Sequence, residues 1–479
     1  MGVLTRAAKK RRLEEEEEQG EEVEEQGEEV ERRLEDHISR LLDEVLGEIV
    51  SLLPTKDGGR TQVLSSRWRP IWRAAPLNVD LDFHVGGGAA ISRLLSSHHG
   101  PVRRFAVRAV HGERTDHVAV TVDGWLRSPA LDNLEDLEFH LGDPTWGIPA
   151  LPPPLPASAR RFSSTLRAAS FGGCSFPDGG AGGEIHLPLL KQLTLFKVRI
   201  SERSLLALLA GGCPVLQSLL LLDIKVNLSN RVQIRSSTLR SIGVRSDYSM
   251  GRLYKLVIED APCLERFMFF RGNRMDISVI SAPRLGVLGL LSNNLPWFSF
   301  GTTRFQLTQG SGVGCLMTTV GCNVKVLAIP YVKLNLGMAI ELMKCFPNLE
   351  KLYIKTGCAE KGSVWRVKYR NLIQTLDIRL KKIVLADYRG DKSRINFVKF
   401  FISNARALES MTLELAYRDA SSKWIEKQHR MMLQIRKRAS RGVRFDFVSR
   451  NMSIESLSNL HANELAHDLS TTDPFERFP

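Results

Sequence analysis

Apolar residues at positions one, four and six of a short unit, L-x-x-L-x-L, recur through the middle of the chain. The unit occurs eight times between residues 134 and 354. From Leu190 its starts advance by 26, 23, 25, 21, 39 and 25 residues, and all but one of these steps fit a solenoid repeat. The pattern predicts stacked repeats with one parallel sheet along the concave side. The step of 39 residues indicates an insertion around residues 292–322.

Four of these units follow a proline, which is preceded by a small residue or by phenylalanine. The prolines are Pro214, Pro262, Pro283 and Pro347. Because proline lacks an N–H group and fixes its own φ angle, each should end the preceding helix or turn and direct the chain into the next strand.

Positions three, five and seven of each unit alternate with the leucines and therefore point away from the repeat core. Several of them are large and apolar, where a solvated sheet should be polar. We therefore predict a target-binding surface on the concave face, made of Leu220, Leu222, Arg245, Met268, Phe270 and Leu291. The alternative is that these side chains pack beneath the loops or beneath the C-terminal domain.

Residues 36–73 have a different pattern, in which apolar residues recur every three or four positions, as on one face of a helix. Pro54 ends the first predicted helix, and Thr55 and Ser65 are candidate caps of a second and a third. About forty residues cannot bury so many large apolar side chains among themselves. A packed neighbour or a partner should cover the remainder.

This segment resembles the plant F-box, a module that docks on the small adaptor of a cullin-based ubiquitin ligase. The matching residues are Ile38, Ser39, Leu41, Asp43, Glu44, Val45, Leu46, Ile49, Ser51, Leu53, Pro54, Thr55, Lys56, Thr61, Val63, Leu64, Ser65, Arg67, Trp68, Arg69 and Trp72. The resemblance implies an adaptor-binding surface made of Leu41, Leu42, Ile49, Leu53, Pro54, Val63, Leu64, Arg67, Trp68 and Trp72.

Some residues depart from the family pattern. Leu42 stands where the family usually has proline, and Pro70 lies inside the third predicted helix. Gly58 and Gly59 replace small apolar residues, and each should weaken the second helix by about 1 kcal/mol relative to alanine. These departures bear on the tightness of docking more than on the identity of the module.

Residues 376–450 read as a strand, a helix, a strand, a basic amphipathic helix and a final strand. This region resembles the FBD, a domain often found after the repeats of plant F-box proteins. The resemblance rests mainly on Phe397, Phe400, Asn404, Ala405, Leu408 and Met411 and on the helix and strand after them. It implies a separate α+β domain, followed by a loosely ordered tail.

The chain has 479 residues and a net charge of +13. Residues 1–36 carry 14 acidic and 7 basic side chains, so the remainder carries +20. The glutamate-rich stretch cannot bury enough apolar area to fold, which predicts a disordered acidic arm. The cluster Lys9, Lys10, Arg11 and Arg12 before it has the composition of a minimal nuclear-import signal.

The sequence contains no persuasive catalytic or metal-binding motif. The seven cysteines are scattered singly, which is typical of buried thiols in a reducing compartment. The most apolar stretch, residues 204–224, is interrupted by glycine and proline and predicts a buried helix–turn–strand, not a membrane span. Without interleaved aromatic residues, a basic helix is expected to be a solvated face; its charges are Lys427, Arg430, Arg436, Lys437, Arg438 and Arg441.

We therefore predict an α/β protein: a small all-helical F-box followed by a leucine-rich-repeat solenoid and a C-terminal α+β domain. The predicted boundaries are 1–35 for the acidic arm, 36–83 for the F-box, 84–129 for a connector with the first repeat elements, 130–375 for the repeats, 376–450 for the FBD-like domain and 451–479 for the tail.

The resemblance implies a non-catalytic substrate-recognition subunit of an SCF-type ubiquitin ligase. Its partners would be the adaptor, the cullin scaffold and a protein target of unknown identity, in the nucleus and/or cytoplasm. No cofactor, membrane or nucleic-acid partner is expected. The alternative is a nuclear nucleic-acid-binding repeat protein whose F-box is kept only for structure.

Overall fold

The computed structural model describes most of the chain. The described residues are 38, 40–83, 88–109, 115–142, 151–178, 185–227, 231–246, 253–272, 275–290, 297–300, 303–308, 312–316, 323–332, 334, 336–356, 376–416, 422–433, 438–449, 465, 469 and 473–476. The chain divides into two compact units, which are treated separately below. Residues 1–78 with 98–100 form a small unit, and residues 79–97 with 101–479 form a large one.

The small unit contains three short α-helices. They are α1 (Asp43–Leu52), α2 (Thr55–Arg60), which continues into a 3₁₀ turn (Thr61–Val63), and α3 (Trp68–Ala74). The helices occur where the sequence predicts them, but the predicted caps are wrong. Pro54 and Arg67 occupy the cap positions of α2 and α3, and neither makes a side-chain cap bond. The hydroxyl of Thr55 instead donates to the backbone oxygen of Asn78.

The departures from the F-box pattern have structural reasons. A Cβ added to Gly58 would lie 2.5 Å from Cζ3 of Trp72, so glycine lets the indole ring pack directly on α2. Pro70 is the third residue of α3, where the helical N–H group has no intrahelical partner to lose. The glycine therefore has a packing role that helix propensity alone misses.

The large unit is built on one long sheet. Among the described residues its strand order is β1-β2-β3-β4-β5-β7-β10-β12-β14-β18-β19-β20-β21-β22, and every pairing from β2 onward is parallel. The first strands of this sheet are β1 (Leu77–Phe83), β2 (Val102–Ala109), β3 (Asp136–His140), β4 (Ala168–Gly172), β5 (Gln192–Phe196) and β7 (Ser218–Leu222). The next are β10 (Ser241–Ser246), β12 (Arg266–Gly272), β14 (Val287–Leu290), β18 (Val326–Val332) and β19 (Lys351–Thr356).

The repeat residues behave as the periodicity predicts. In seven of the eight units all three residues at positions one, four and six are buried, and in the eighth Leu285 and Leu288 are. The sequence pattern missed a repeat at β4, where Leu166, Ala169 and Phe171 occupy the same three positions and are buried too. Its fourth position is Ala169, and the sequence pattern requires a large apolar residue there.

The prolines before the strands also act as predicted. Each is the second residue of a turn closed by a backbone hydrogen bond, as in Leu216 N–H to Cys213 O at 3.2 Å and Leu264 N–H to Ala261 O at 3.0 Å. The same bond joins Leu285 to Ala282 and Leu349 to Phe346. Proline suits this turn position because its fixed φ is already the required one.

The C-terminal region is not a separate α+β domain, contrary to the prediction. Its strands β20 (Lys382–Tyr388), β21 (Ser410–Leu415) and β22 (Arg444–Ser449) continue the parallel sheet beyond β19. Helices α8 (Lys392–Asn404) and α9 (Ser422–Leu433) connect them. Leu380, Ile383 and Leu385 repeat the one-four-six spacing and are buried, so the region extends the solenoid by further units.

Behind the long sheet the connections differ along the solenoid. The helices there are α4 (Gly88–Ser97), α5 (Thr115–Trp125), α6 (Glu202–Ala207) and α7 (Leu336–Cys345). Short strands β6 (Arg199–Ser201) and β8 (Lys225–Asn227) pair with each other. A second sheet contains β9 (Arg231–Arg235), β11 (Lys255–Asp260), β13 (Asp276–Val279), β15 (Trp297–Phe300), β16 (Thr303–Thr308) and β17 (Gly312–Leu316). The last three fall within the predicted insertion: β15 pairs with β13 in parallel, and β16 and β17 extend the sheet in antiparallel fashion.

The stretch 204–224 is a helix, a turn and a strand, as predicted, with α6 followed by a π-helical turn (Leu208–Gly212) and β7. Across the described part of the chain, no helix combines the length and apolarity needed to cross a membrane.

Candidate functional site

The small unit exposes a row of apolar side chains along α1. Leu42, directly before the helix, and Val45, Ile49 and Leu52 within it are 69%, 40%, 41% and 72% exposed. Their steps of three, four and three residues place them on one side of the helix. Leu46 and Val50 lie on the other side and are buried. Helix α1 is thus apolar on two faces, only one of which its own unit covers.

Other segments of the small unit add to this exposed apolar surface. Ile38, Val63 and Leu64 are all more than half exposed, and Pro54 is exposed too. We call Leu42, Val45, Ile49 and Leu52 the α1 row. Sequence reasoning did not assign Val45, Leu52 or Ile38 to the adaptor surface, although the three- and four-residue steps of the row were there to be read.

Several residues predicted for the adaptor surface have other positions. Trp68 and Trp72 are only 7% and 9% exposed, so the expectation that these tryptophans stand on the surface is wrong. They pack inside the unit and support α1 from behind. Leu41 and Leu53 are half-buried. Arg67 pairs with Asp43 at 2.7 Å and donates to the backbone oxygen of Leu41, which ties α3 to the start of α1.

A histidine outside the helices completes the small unit. Nε2 of His98 lies 3.0 Å from the backbone oxygen of Ala75, and its ring packs 5.5 Å from that of Trp72. Burial lowers the pKa of His98 below its ordinary value, and His99 adds to this effect while the bond to Ala75 opposes it. The folded small unit therefore favours the neutral form of the His98 ring.

In the large unit the apolar part of the concave face is not exposed. Leu220, Leu222, Met268 and Phe270 are at most 1% exposed, so the predicted open strip is wrong. The side chains are buried, as in the alternative, but the residues that cover them belong to the predicted loosely ordered tail and not to the C-terminal domain: Leu465, Leu469 and Phe475 complete the same buried cluster. Leu291 lies outside the described residues. We call Leu465, Leu469 and residues 473–476 the C-terminal cover.

Polar contacts hold the cover on the sheet. The backbone oxygen of Leu469 accepts from Ser241 Oγ at 2.8 Å and from Arg266 Nε at 2.9 Å. Oδ2 of Asp473 accepts from Lys351 Nζ at 2.9 Å and from the hydroxyl of Tyr353 at 3.0 Å. Both anchors of the cover are thus acceptors that face donors on the sheet.

The titrating groups at this contact respond to each other. Burial opposes protonation of Lys351, but the hydrogen bond and charge of Asp473 raise its pKa above the ordinary value. Burial, followed by the charge of Asp473, raises the pKa of Tyr353 as well. Both groups therefore stay protonated at neutral pH and remain donors to the cover.

Arg245, the charged residue of the predicted surface, is already engaged. Its Nε donates to Asp223 Oδ2 at 3.0 Å, and its guanidinium lies 5.6 Å from the ring centroid of Phe196. Phe196 packs against the edge of the cluster beneath the cover. The arginine therefore marks the boundary of the covered region.

Beyond this boundary the concave face is charged. Arg104 and Arg108 on β2 bind Glu138 on β3 at 2.9 and 3.1 Å, and they also contact Asp136 and Asp80. Burial raises the pKa of Asp136 despite the charge of Arg104. Two guanidinium groups and three carboxylates thus share one ion-pair network at this end of the face.

The described residues show no cluster of His, Cys, Asp or Glu that could hold a metal ion. Cys174 and Cys213 are buried free thiols, and burial raises the pKa of Cys213 to about 12. Such thiols are protonated at neutral pH and are therefore poor nucleophiles.

The chain is similar to known proteins over most of its length. Residues 122–354 match the family model "FBD-associated F-box protein At5g56370, LRR repeats", and residues 368–413 match the FBD model. The F-box/FBD/LRR-repeat protein At5g44950 of Arabidopsis thaliana is 24% identical over 78% of this chain and 91% of its own length. The FBD-associated F-box protein At4g13985 of the same plant is 23% identical over 78% and 88%.

Together these matches support a plant-type F-box/leucine-rich-repeat protein with a C-terminal FBD. The repeat match runs from within α5 to β19, and the FBD match includes β20, α8 and most of β21. In this F-box/leucine-rich-repeat protein, therefore, the FBD is a continuation of the repeat sheet. The predicted import cluster Lys9, Lys10, Arg11 and Arg12 lies outside the described residues.

The basic helix of this F-box/leucine-rich-repeat protein is α9. On it, Arg430 lies 3.4 Å from Glu426 in an exposed pair one turn apart. Lys427 is exposed, and Arg438, after the helix, donates to the backbone oxygen of Met432. Arg436 and Lys437 lie outside the described residues. Pairing with a neighbouring glutamate suits a solvated face.

Proposed function

We propose that this protein is the target-recognition subunit of an SCF-type ubiquitin ligase. The α1 row would dock the adaptor, and the repeat unit would hold a protein target. The relatives carry the words F-box and LRR-repeat in their names. The α1 row carries the proposal, because it is an exposed apolar surface on a compact unit that is distinct from the repeats.

The energetics favour a protein partner for this row. Burial of a leucine or isoleucine side chain contributes about 1.5–3 kcal/mol, so the four residues of the row offer substantial binding energy. Exposed apolar patches of this kind mark protein-interaction sites. Glu44 and Glu48 on α1 are exposed and would lie at a polar rim, as interfaces commonly have.

No catalytic side chain is required for this role. A receptor subunit accelerates ubiquitin transfer by holding the target near the charged conjugate, which is catalysis by proximity. The buried, protonated thiols described above fit a protein that binds and does not react.

Adaptor binding by the full-length protein tests the proposal. Ile49→Asp and Leu52→Asp should each weaken binding to purified adaptor by at least about thirtyfold, because a central apolar anchor typically contributes about 2 kcal/mol. Leu151→Asp is the matched control, since Leu151 is 71% exposed but belongs to the large unit. The proposal fails if the folded protein does not bind the adaptor, or if all three variants bind equally.

A further inference from the structure

The concave face has gaps that match the C-terminal cover. The fifth positions of successive repeats lie side by side across the sheet. In order along the sheet they are Leu220, Gly243, Met268, Gly289, Ala328 and Tyr353. Large side chains therefore alternate with positions that have little or no side chain. Glycine weakens a strand, so its presence here indicates that something approaches closely.

The approaching groups come from the neighbouring strands and from the cover. A Cβ on Gly243 would lie 2.6 Å from Cδ1 of Leu220 and 3.0 Å from Cδ1 of Leu469. A Cβ on Gly289 would lie 2.5 Å from Sδ of Met268 and 2.8 Å from Cζ of Phe475. The ring of Phe475 also packs 5.3 Å from that of Tyr353. The face thus has one socket for an aliphatic side chain and a second for an aromatic one.

The polar contacts determine which way the bound segment runs and how far apart its binding groups lie. Ser241 and Arg266 donate to a backbone oxygen, a group that every peptide has. Lys351 and Tyr353 donate to the carboxylate of Asp473, four residues after Leu469. A peptide must have a carboxylate at this distance from its two leucines to make the same contacts. The side chain of Asp473 is nearly buried, so this carboxylate is bound as a ligand would be.

The cover contributes nothing to the hydrogen-bond ladder of the sheet. Strands β7, β10, β12 and β14 pair with one another in register, and among the described residues the cover adds no strand to them. Its departure would break side-chain contacts and a few hydrogen bonds but no strand pairing. Leu465 and Leu469, four positions apart, both place apolar side chains in the buried cluster on the sheet.

We propose that the middle of the concave face is a groove for an amphipathic protein segment, and that the C-terminal cover is its resident occupant. A partner segment of the same chemistry would displace it. That chemistry is two aliphatic residues four positions apart, then a carboxylate four positions and an aromatic residue six positions after the second. The identification of this partner with a ligase target rests on the proposed function, whereas the groove does not.

A cut-chain exchange experiment tests the groove in the full protein. A protease recognition sequence is inserted between Ser456 and Leu457, the purified protein is cut, and a fluorescent synthetic peptide of residues 457–479 is added. The cut protein should take up the peptide saturably at one per chain. The uncut protein should take it up at least about a hundredfold more weakly, because a tethered segment competes at an effective concentration near millimolar.

Variant peptides test the recognition chemistry. Phe475→Ala and Asp473→Asn peptides should each bind at least about tenfold more weakly, since each leaves a socket or two donors unfilled. Glu476→Gln is the comparison, because the Glu476 side chain is 66% exposed and water screens its 3.4 Å ion pair with Lys351, so its loss should weaken binding by less than about fivefold. In the protein, Gly289→Ala should weaken uptake of the unchanged peptide similarly, since its Cβ would fill part of the aromatic socket.

Two results would overturn the proposal. In one, the cut protein keeps its own fragment and never exchanges it, which makes the cover a permanent part of the fold. In the other, the Phe475→Ala and Asp473→Asn peptides bind as well as the unchanged one. Adaptor binding is measured on the same samples, so the two proposals are tested separately. Peptide exchange without adaptor binding supports the groove and contradicts the ligase role. Adaptor binding without peptide exchange supports the ligase role and contradicts the groove.

Discussion

Arg266 Nε donates a 2.9 Å hydrogen bond to the backbone oxygen of Leu469, which lies 203 positions away in the chain. This bond joins the middle repeats to the C-terminal cover. It explains why a row of large apolar side chains on the concave face is compatible with a folded, water-exposed solenoid. The face is covered by the chain itself.

Removal of the aromatic group of the cover should destabilise this contact. Phe475 is fully buried, and replacement of a buried phenylalanine by alanine typically costs about 3–5 kcal/mol. We expect Phe475→Ala to lower the midpoint of thermal unfolding, or to expose the cover selectively in hydrogen-exchange measurements. Glu476→Ala should change neither, because that side chain is exposed. Equal behaviour of the two variants would contradict the described packing.

Two glycine-to-alanine substitutions in the small unit should change its stability in opposite directions. Gly58→Ala places a Cβ 2.5 Å from the Trp72 ring and should destabilise the unit by about 1–3 kcal/mol, the usual cost of overpacking. Gly47→Ala on α1 meets nothing within 4 Å and should stabilise it by about 1 kcal/mol, the difference in helix propensity. Denaturant unfolding of both variants measures this. A stabilising Gly58→Ala would show that the ring does not pack as described.

Acidification should loosen the small unit through His98. Its pKa is lowered in the folded state, so the unfolded chain binds the proton more tightly. Stability from this group is complete above the unfolded pKa, about 6.5, and is lost as the pH falls from there toward the folded pKa. Hydrogen exchange across residues 43–74, corrected for its intrinsic pH dependence, should show more opening at pH 5.5 than at pH 7.5.

The matched variants are His98→Gln and His99→Gln. The first should remove most of this pH dependence, because it removes the ring whose pKa burial lowers, whereas the second keeps that ring and should keep the pH dependence. Retention of the full pH dependence in His98→Gln would assign the effect to another group.

The junction between the repeats and the FBD should depend on Arg394. This buried guanidinium bonds to Thr356 Oγ1 from Nε at 2.9 Å and contacts Asp387 and Asp391. Removal of one partner from a buried ion pair typically costs about 3–5 kcal/mol, since the other charge remains buried. Arg394→Leu should therefore lower the unfolding midpoint much more than Arg389→Leu, because the Arg389 side chain is 40% exposed and that of Arg394 is 2% exposed. Similar small effects in both variants would contradict this role.

The sequence by itself determined the local elements of this protein. The one-four-six spacing located the strands and their buried faces, because a strand alternates its faces every residue whatever lies beyond it. Pro262 and Pro283 marked turns that the structure contains, since a fixed φ acts on the nearest residues only. The steps of three and four residues likewise located α1.

Only the tertiary structure decided which apolar faces are covered. The residues near Met268 and Phe270 in sequence do not predict contact with Leu469 or Phe475. Periodicity cannot identify a contact between segments 200 residues apart. The same limit explains Trp68 and Trp72, which match an adaptor-binding pattern yet pack inward, where Gly58 makes room for the Trp72 ring. It also explains the FBD, whose strands read as a separate domain until their pairing with β19 joined them to one sheet. A local pattern shows that a face must be buried, whereas the partner that buries it depends on how distant parts of the chain meet.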